Sequence, residues 1–138
     1  MPFSLSTKGH YAVLLMYELA RNEEKVTPLS EVSATQKVSQ GYLEQIVKPL
    51  REEGLVQSKR GFGGGYTLSK PKEKITVGEI IRVVEGPILP VQCVDENFCR
   101  LNCPEDCKAK FVWQRVSDAI ENVLDSITLE DLVDKDEA

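Results

Sequence analysis

Apolar residues recur along this chain at two spacings, and each spacing assigns its elements. Between Tyr11 and Ala20 only Glu18 is strongly polar, which predicts a helix apolar nearly all round, capped by Ser6 and ending near Arg21. Such a helix has to be buried on more than one side. A chain of 138 residues has little material for that, so a partner subunit is expected. Thr27 and Pro28 read as a cap and a first-turn proline opening a short helix over residues 28–36, with Leu29 and Val32 on its apolar stripe. Lys37 and Val38 form a tight turn. Ser39 then caps a second helix with the stripe Leu43, Ile46, Val47 and Leu50, closed by Gly54. Pro49 removes one backbone hydrogen bond from this helix and should bend its last turn.

Beyond Gly54 the spacing shortens. Residues 55–59 and 66–69 read as two strands around the tip "GFGGGY", with Lys59, Arg60 and Lys70 flanking them. Thr76 and Glu79 have capping-box spacing ahead of a helix whose face is Val77, Ile80, Ile81 and Val84, stopped by Gly86 and Pro87. That helix reads as core. From about Pro104 a long helix runs to Ser126. Its stripe is Phe111, Val112, Val116, Ile120, Val123, Leu124 and Ile127, with Trp113 beside it. The stripe either packs on its own domain or pairs with its twin across a two-fold axis, and the second reading is preferred. "TLEDLV" gives a short capped helix, and "DKDEA" reads as a disordered acidic tail.

The fold class is therefore mainly α with a small β-hairpin wing: a winged helix-turn-helix followed by a long C-terminal dimerisation helix. The expected division is a winged helix-turn-helix domain over 1–86, a cysteine-rich loop and helix start over 87–107, a dimerisation helix over 108–127, and a short helix with an acidic tail over 128–138. Two short helices alone fit an ordinary helical hairpin equally well. The β-hairpin that follows them favours DNA binding. A phosphate-cradling loop is excluded, because "GFGGGY" has tyrosine where the last glycine belongs and no Gly-Lys-Ser/Thr follows.

Composition and charge narrow the class. A hydrophobic content of 41% suits a globular protein. The run from Tyr11 to Ala20 is too short to span a bilayer, and no leader pattern precedes it, so a cytoplasmic location without a membrane partner is expected. The net charge of −5 is uneven: residues 1–90 carry 12 Lys and Arg against 10 Asp and Glu, and residues 91–138 carry 5 against 12. An acidic whole does not exclude DNA binding, because phosphate contacts act within about a Debye length, roughly 8–10 Å. With one histidine and no nucleophile, base and orienter set, an enzyme is not expected.

All four cysteines lie in "CVDENFCRLNCPEDC", spaced C-x5-C-x3-C-x3-C. In a reducing compartment, ligands or redox thiols are expected ahead of structural disulfides. No pair has the C-x2-C spacing common in zinc ribbons. Pro104 suits the first position of a helix capped by Cys103, which puts Cys107 near a helix N-terminus, where the dipole favours thiolate. Four readings stay open on spacing alone: an iron–sulfur cluster, a zinc site, a thiol–disulfide switch and inert cysteines. A zinc-stabilised DNA-binding protein and a small iron–sulfur electron carrier are the corresponding alternative functions.

Taken in order, "STKGHYAV", "YLEQIVKPLREEGLV", "RGFGGGYTLSKP", "ITVGEIIRVVEG" and "SITLEDLV" resemble the iron–sulfur branch of the Rrf-two family of bacterial winged-helix regulators, with IscR-like and NsrR-like members. The resemblance covers nearly the whole chain. It implies a homodimeric regulator that binds a double-stranded, roughly palindromic operator, most simply a repressor of iron–sulfur assembly or related stress genes. It also implies an iron–sulfur cluster (2Fe–2S favoured, 4Fe–4S the alternative) and redox or nitric oxide sensing. Cys93, Cys99 and Cys107 match the family's three cysteines. Lys110 stands where IscR-like members have histidine, so Cys103 is the candidate fourth ligand. His10 stands where NsrR-like members place a carboxylate ligand reaching the partner's cluster, making it a candidate ligand in trans, with a partly buried packing role as its alternative. DNA reading falls to Ser39, Gln40, Tyr42, Glu44, Gln45 and Lys48 on the second helix and to Lys59, Arg60, Gly61 and Phe62 on the wing. Gln45 suits adenine, Glu44 a cytosine amino group or rejection of wrong sites, Lys48 a phosphate and Arg60 the minor groove. Trp113, Val116, Ile120, Val123, Leu124 and Ile127 are the candidate dimer interface.

Overall fold

The computed structural model describes residues 6–87 and 108–137. Its elements are α1 (Thr7–Arg21), α2 (Leu29–Gln36), α3 (Gln40–Glu52), β1 (Val56–Lys59), β2 (Gly65–Leu68), a 3-10 turn (Lys72–Lys74), α4 (Val77–Glu85), α5 (Lys108–Ser126) and α6 (Leu129–Glu137). The mainly helical fold with one antiparallel hairpin is as the sequence predicts. The hairpin register pairs Val56 with Leu68 and Lys59 with Gly65.

α1 is the centre of the fold. Ser6 caps it by accepting from the Gly9 N–H (3.2 Å), and α2, α3, β2, α4 and α6 all pack on it. Ala12, Leu15, Met16, Leu19 and Ala20 are buried in one core with Leu43, Ile46, Leu50, Leu55, Ile75, Ile80 and Leu129. This corrects one expectation: the chain's own helices cover α1, so its apolar character does not call for a second subunit. Glu18 is the one charged residue buried among the described residues. Its carboxylate accepts from Arg21 (2.8 Å) and from Gln36 (2.8 Å), which pins α1 to the end of α2. Without both partners a buried carboxylate would be costly.

Three local details differ from the sequence reading. Thr27 is not a cap: α2 begins at Leu29 with Pro28 in the cap position and no side-chain cap bond. Thr27 instead pairs with Tyr66, exchanging Thr27 N–H to Tyr66 O (3.0 Å) and Tyr66 N–H to Thr27 O (2.8 Å). Thr76 caps α4 by accepting from the Glu79 N–H (3.1 Å), but the Glu79 carboxylate turns to Lys70 (2.8 Å), so only half of a capping box forms. The acidic end is helical rather than disordered, since α6 runs to Glu137. Thr128 and Asp131 cap it reciprocally, at 2.9 and 3.2 Å, and the first-turn acids Glu130 and Asp131 complement the helix dipole.

α5 is fastened to the winged domain at its C-terminal end. Ile120, Leu124 and Ile127 pack on Val77 and Ile81. Backbone bonds from Val77 N–H to Ile127 O (2.8 Å) and from Leu129 N–H to Ile75 O (3.0 Å) close the join. Arg82 grips Asp125 with two parallel bonds of 2.8 Å each. That bond holds the Asp125 carboxyl below its usual value and raises the Arg82 guanidinium. Gly78 leaves room for this pair, since a Cβ there would push the Asp125 carboxylate aside. Among the described residues no helix is long and apolar enough to cross a membrane.

Candidate nucleic-acid interface

The second helix of the pair is built to offer a polar face. Its N-cap is Ser39, whose hydroxyl accepts from the Tyr42 N–H (3.1 Å) and keeps its own O–H free to donate outward. Leu43, Ile46, Val47 and Leu50 face the core. Helical spacing therefore turns Gln40, Glu44, Gln45 and Lys48 outward, and all four are exposed. Gly41 lies on the same face with nothing within 4 Å of where its Cβ would stand. Tyr42 is half-buried, its ring edge-on to Tyr11 at 6.1 Å, which fixes α3 against α1. The start of α3 thus presents free N–H groups, a positive dipole end and amide and hydroxyl side chains to one side.

Lys37 ends α2 in the left-handed conformation (φ 57°), which makes the tight turn between the two helices. At the other end of α3, Gly54 (φ 80°) redirects the chain straight into β1. Leu55 N–H donates to Leu50 O (2.9 Å), so the wing begins from the last turn of the helix itself. The wing carries Lys59, Arg60, Gly61 and Phe62 into solvent. Lys48, Lys59 and Arg60 form no ion pair with any described residue, while Lys25, Lys70, Lys72 and Arg82 do. Lys48 is therefore available on the α3 face and Lys59 and Arg60 on the wing, while Lys8, Lys74, Lys108 and Lys135, elsewhere in the fold, likewise form no ion pair with a described residue.

Sequence reasoning missed the part that fixes the wing. The Thr27–Tyr66 exchange is an isolated antiparallel bridge that ties β2, close to the wing tip, to the start of α2. Gly65 permits this, because a Cβ there would strike the Thr27 backbone. The glycine run is the only trace of it in the sequence, and it reads more readily as a flexible tip.

Of the proposed ligands, His10 is described. It is exposed on the first turn of α1, its ring edge-on to Tyr11 at 5.2 Å, so it is not the partly buried packing residue of the alternative reading. Cys93, Cys99, Cys103 and Cys107, with the rest of the segment 88–107, lie outside the described residues. Among the described residues no group of three His, Cys, Asp or Glu could hold a metal ion. On the candidate dimer helix, Phe111, Val112, Val116 and Val123 are exposed and Trp113 is half-buried. Ile120, Leu124 and Ile127 already pack on their own chain.

Comparison with known proteins agrees with this architecture. Residues 5–135 match the model of the Rrf2 family, the Rrf-two family named above, described as an iron-dependent transcriptional regulator. The chain is 46% identical over 129 residues to the HTH-type transcriptional regulator CymR of Bacillus subtilis, covering 93% of this chain and 88% of that one. It is 39% identical over 134 residues to the regulator IscR of Escherichia coli, covering 96% and 82%. Among solved structures, CymR, the global cysteine regulator of B. subtilis, superposes with a TM-score of 0.83 at 44% identity, covering 96% of this chain and 98% of that one. T. potens IscR superposes with a TM-score of 0.81 at 40% identity, covering 99% and 89%. These relatives are transcription regulators, not enzymes. With its helix pair, its hairpin wing and a family match over nearly its whole length, the chain belongs to the Rrf2 family of winged-helix DNA-binding transcription regulators.

Proposed function

We propose that this chain is a homodimeric, cytoplasmic regulator whose operator binding is set by an iron–sulfur cluster. The observation that supports the DNA-reading part is an exposed polar α3 face that leads directly into a wing whose Lys59 and Arg60 are exposed and form no ion pair with a described residue. Gln45 reads a base edge, Lys48 and Lys59 neutralise phosphates, and Arg60 enters the minor groove. Glu44 selects against sites that offer it no donor.

The donor set fits a cluster by its chemistry: four thiols within fifteen residues match a four-thiolate site. The described residues supply no competing metal group. Cys93, Cys99 and Cys107 would be the common ligands and Cys103 the fourth, in place of the histidine that Lys110 replaces. His10, exposed on α1, remains the alternative donor to a partner's site. When bound, the cluster supplies a redox- and supply-sensitive tether on the segment between α4 and α5. The segment's N-terminal flank meets the winged domain, and on its other side the far end of α5 does. Glu85, at the end of α4, accepts from the Ser6 N–H (3.0 Å) at the start of α1. Asp125, near the end of α5, holds Arg82. Loading biases two arrangements of the winged pair, and affinity shifts only by the difference between them.

A second reading, a thiol-switch regulator, is favoured by the likeness to CymR, which includes the oxidised form from Staphylococcus aureus at a TM-score of 0.77 and 38% identity. Operator binding separates the two. Affinity should change on cluster removal by chelation under reducing, oxygen-free conditions. A change that needs an oxidant and is reversed by a thiol reductant supports the switch instead.

A further inference from the structure

The wing tip holds a side chain that the fold does not use. Residues 61–64 form a tight turn in which the Gly64 N–H donates to the Gly61 carbonyl (2.9 Å). Gly63, the third residue of the turn, has φ 76°, the positive value a type II turn requires there. Phe62 takes the second position, at the outer corner. A Cβ on Gly64 would strike the Lys59 carbonyl, so the returning chain lies directly beneath the turn. Phe62 is left without neighbours and exposes 111% of its reference area. Glycines on either side remove any side chain that would shield it.

The surroundings of this ring choose its occupant. Lys59 and Arg60 stand immediately behind it, exposed and unpaired among the described residues. A cationic collar around a single apolar wedge suits a ligand with anionic walls and an apolar, stacked interior. Duplex DNA has that chemistry, with phosphates lining a minor groove whose floor is stacked base pairs. The wedge also has a firm base, since Thr27 and Tyr66 exchange backbone bonds of 3.0 and 2.8 Å just below the tip. A wedge on a loose loop would transmit no force to a base step.

We propose that Phe62 is a minor-groove wedge. It presses its ring against a base step beside Arg60, partly unstacks that step and bends the duplex towards the major groove. The steps that yield most easily are pyrimidine–purine steps, so Phe62 confers sequence preference at a position that no hydrogen bond reads. This rests on the reading of the wing as a DNA contact.

The test uses the full chain and operator fragments selected from a random-sequence duplex pool. Affinity, its salt dependence and the fluorescence of 2-aminopurine at the wing position are measured for the natural chain and for Phe62→Ala, Phe62→Leu and Arg60→Ala. Phe62 touches nothing in the fold, so its variants should fold normally, which circular dichroism checks. Phe62→Ala should lose about tenfold in affinity on sites with a TA or CA step, the scale of one base–aromatic contact. Its salt slope should be unchanged and the 2-aminopurine signal lost, while Phe62→Leu retains most of both. Arg60→Ala should flatten the salt slope. If Phe62→Ala matches the natural chain in affinity and fluorescence while Arg60→Ala weakens binding, the wedge is wrong and the wing contact stands. If neither variant changes binding to DNA that the chain still selects, the wing does not touch DNA and both ideas fail.

Discussion

Helices α1 and α5 are both apolar, and the chain treats them in opposite ways. α1 is greasy nearly all round, yet Leu15 and Met16 are completely buried because five elements of its own chain surround it. α5 has the cleaner stripe, yet Phe111 is 67% exposed and Val123 57%. Of its apolar stripe, Ile120, Leu124 and Ile127 pack on the winged domain, and Ser117 is buried beside them in sequence. Apolar content therefore does not say where a partner is needed; what matters is whether the chain has material left to cover the stripe. For α1 it does. For Phe111, Val112, Val116 and Val123 the described residues supply little, and this is the face proposed for a second copy.

The contrast can be broken most severely at α1. Leu15→Ala should cost about 2–5 kcal/mol of stability, read from urea unfolding, because the site is closed on every side. A loss well under 1 kcal/mol would mean that α1 is looser than described. On α5 the same comparison predicts a loss of association with little loss of fold. Val116→Asp combined with Val123→Asp should weaken self-association at least tenfold, about 1.4 kcal/mol, in sedimentation velocity, while thermal unfolding of the separated chains changes little. An unchanged association would take the interface away from this face. Glu18→Ala should cost about 1–3 kcal/mol, because Gln36 loses its acceptor and α2 its tie to α1.

The smallest effect concerns the one well-formed ion pair at the joint. Folding lowers the Asp125 carboxyl, so its pairing with Arg82 contributes fully above the ordinary aspartate range and is lost as the pH falls below about 4. Both partners are substantially exposed, so Asp125→Asn should cost below about 1 kcal/mol at neutral pH and remove that part of the acid sensitivity. A variant as acid-sensitive as the natural chain would place the sensitivity elsewhere.

How much the sequence disclosed follows from the range of each interaction. Caps and stripes act within one or two helical turns, so Ser6, Ser39, Gly54 and the face of α3 were all legible, and the polar reading face followed by subtraction. The Thr27–Tyr66 pairing was not, because a backbone exchange between residues far apart in sequence leaves no mark on either side chain. Thr27 looked like a cap because Thr-Pro is a common helix start. The helical end of α6 was hidden for a related reason: its acidic composition suggested solvent, while Thr128 and Asp131 supply the nucleus that lets the helix continue. For the cysteines, spacing alone left four chemistries open, and the family likeness supplied the preference among them.

The account turns on those cysteines, and one measurement addresses them most directly: iron and acid-labile sulfide per chain in protein purified without oxygen, with Cys107→Ala in parallel. The account predicts a coloured natural protein with matched iron and sulfide, and a variant that stays dimeric and holds neither. A colourless natural protein that also resists reconstitution, or a Cys107→Ala variant with undiminished iron and sulfide, would contradict it.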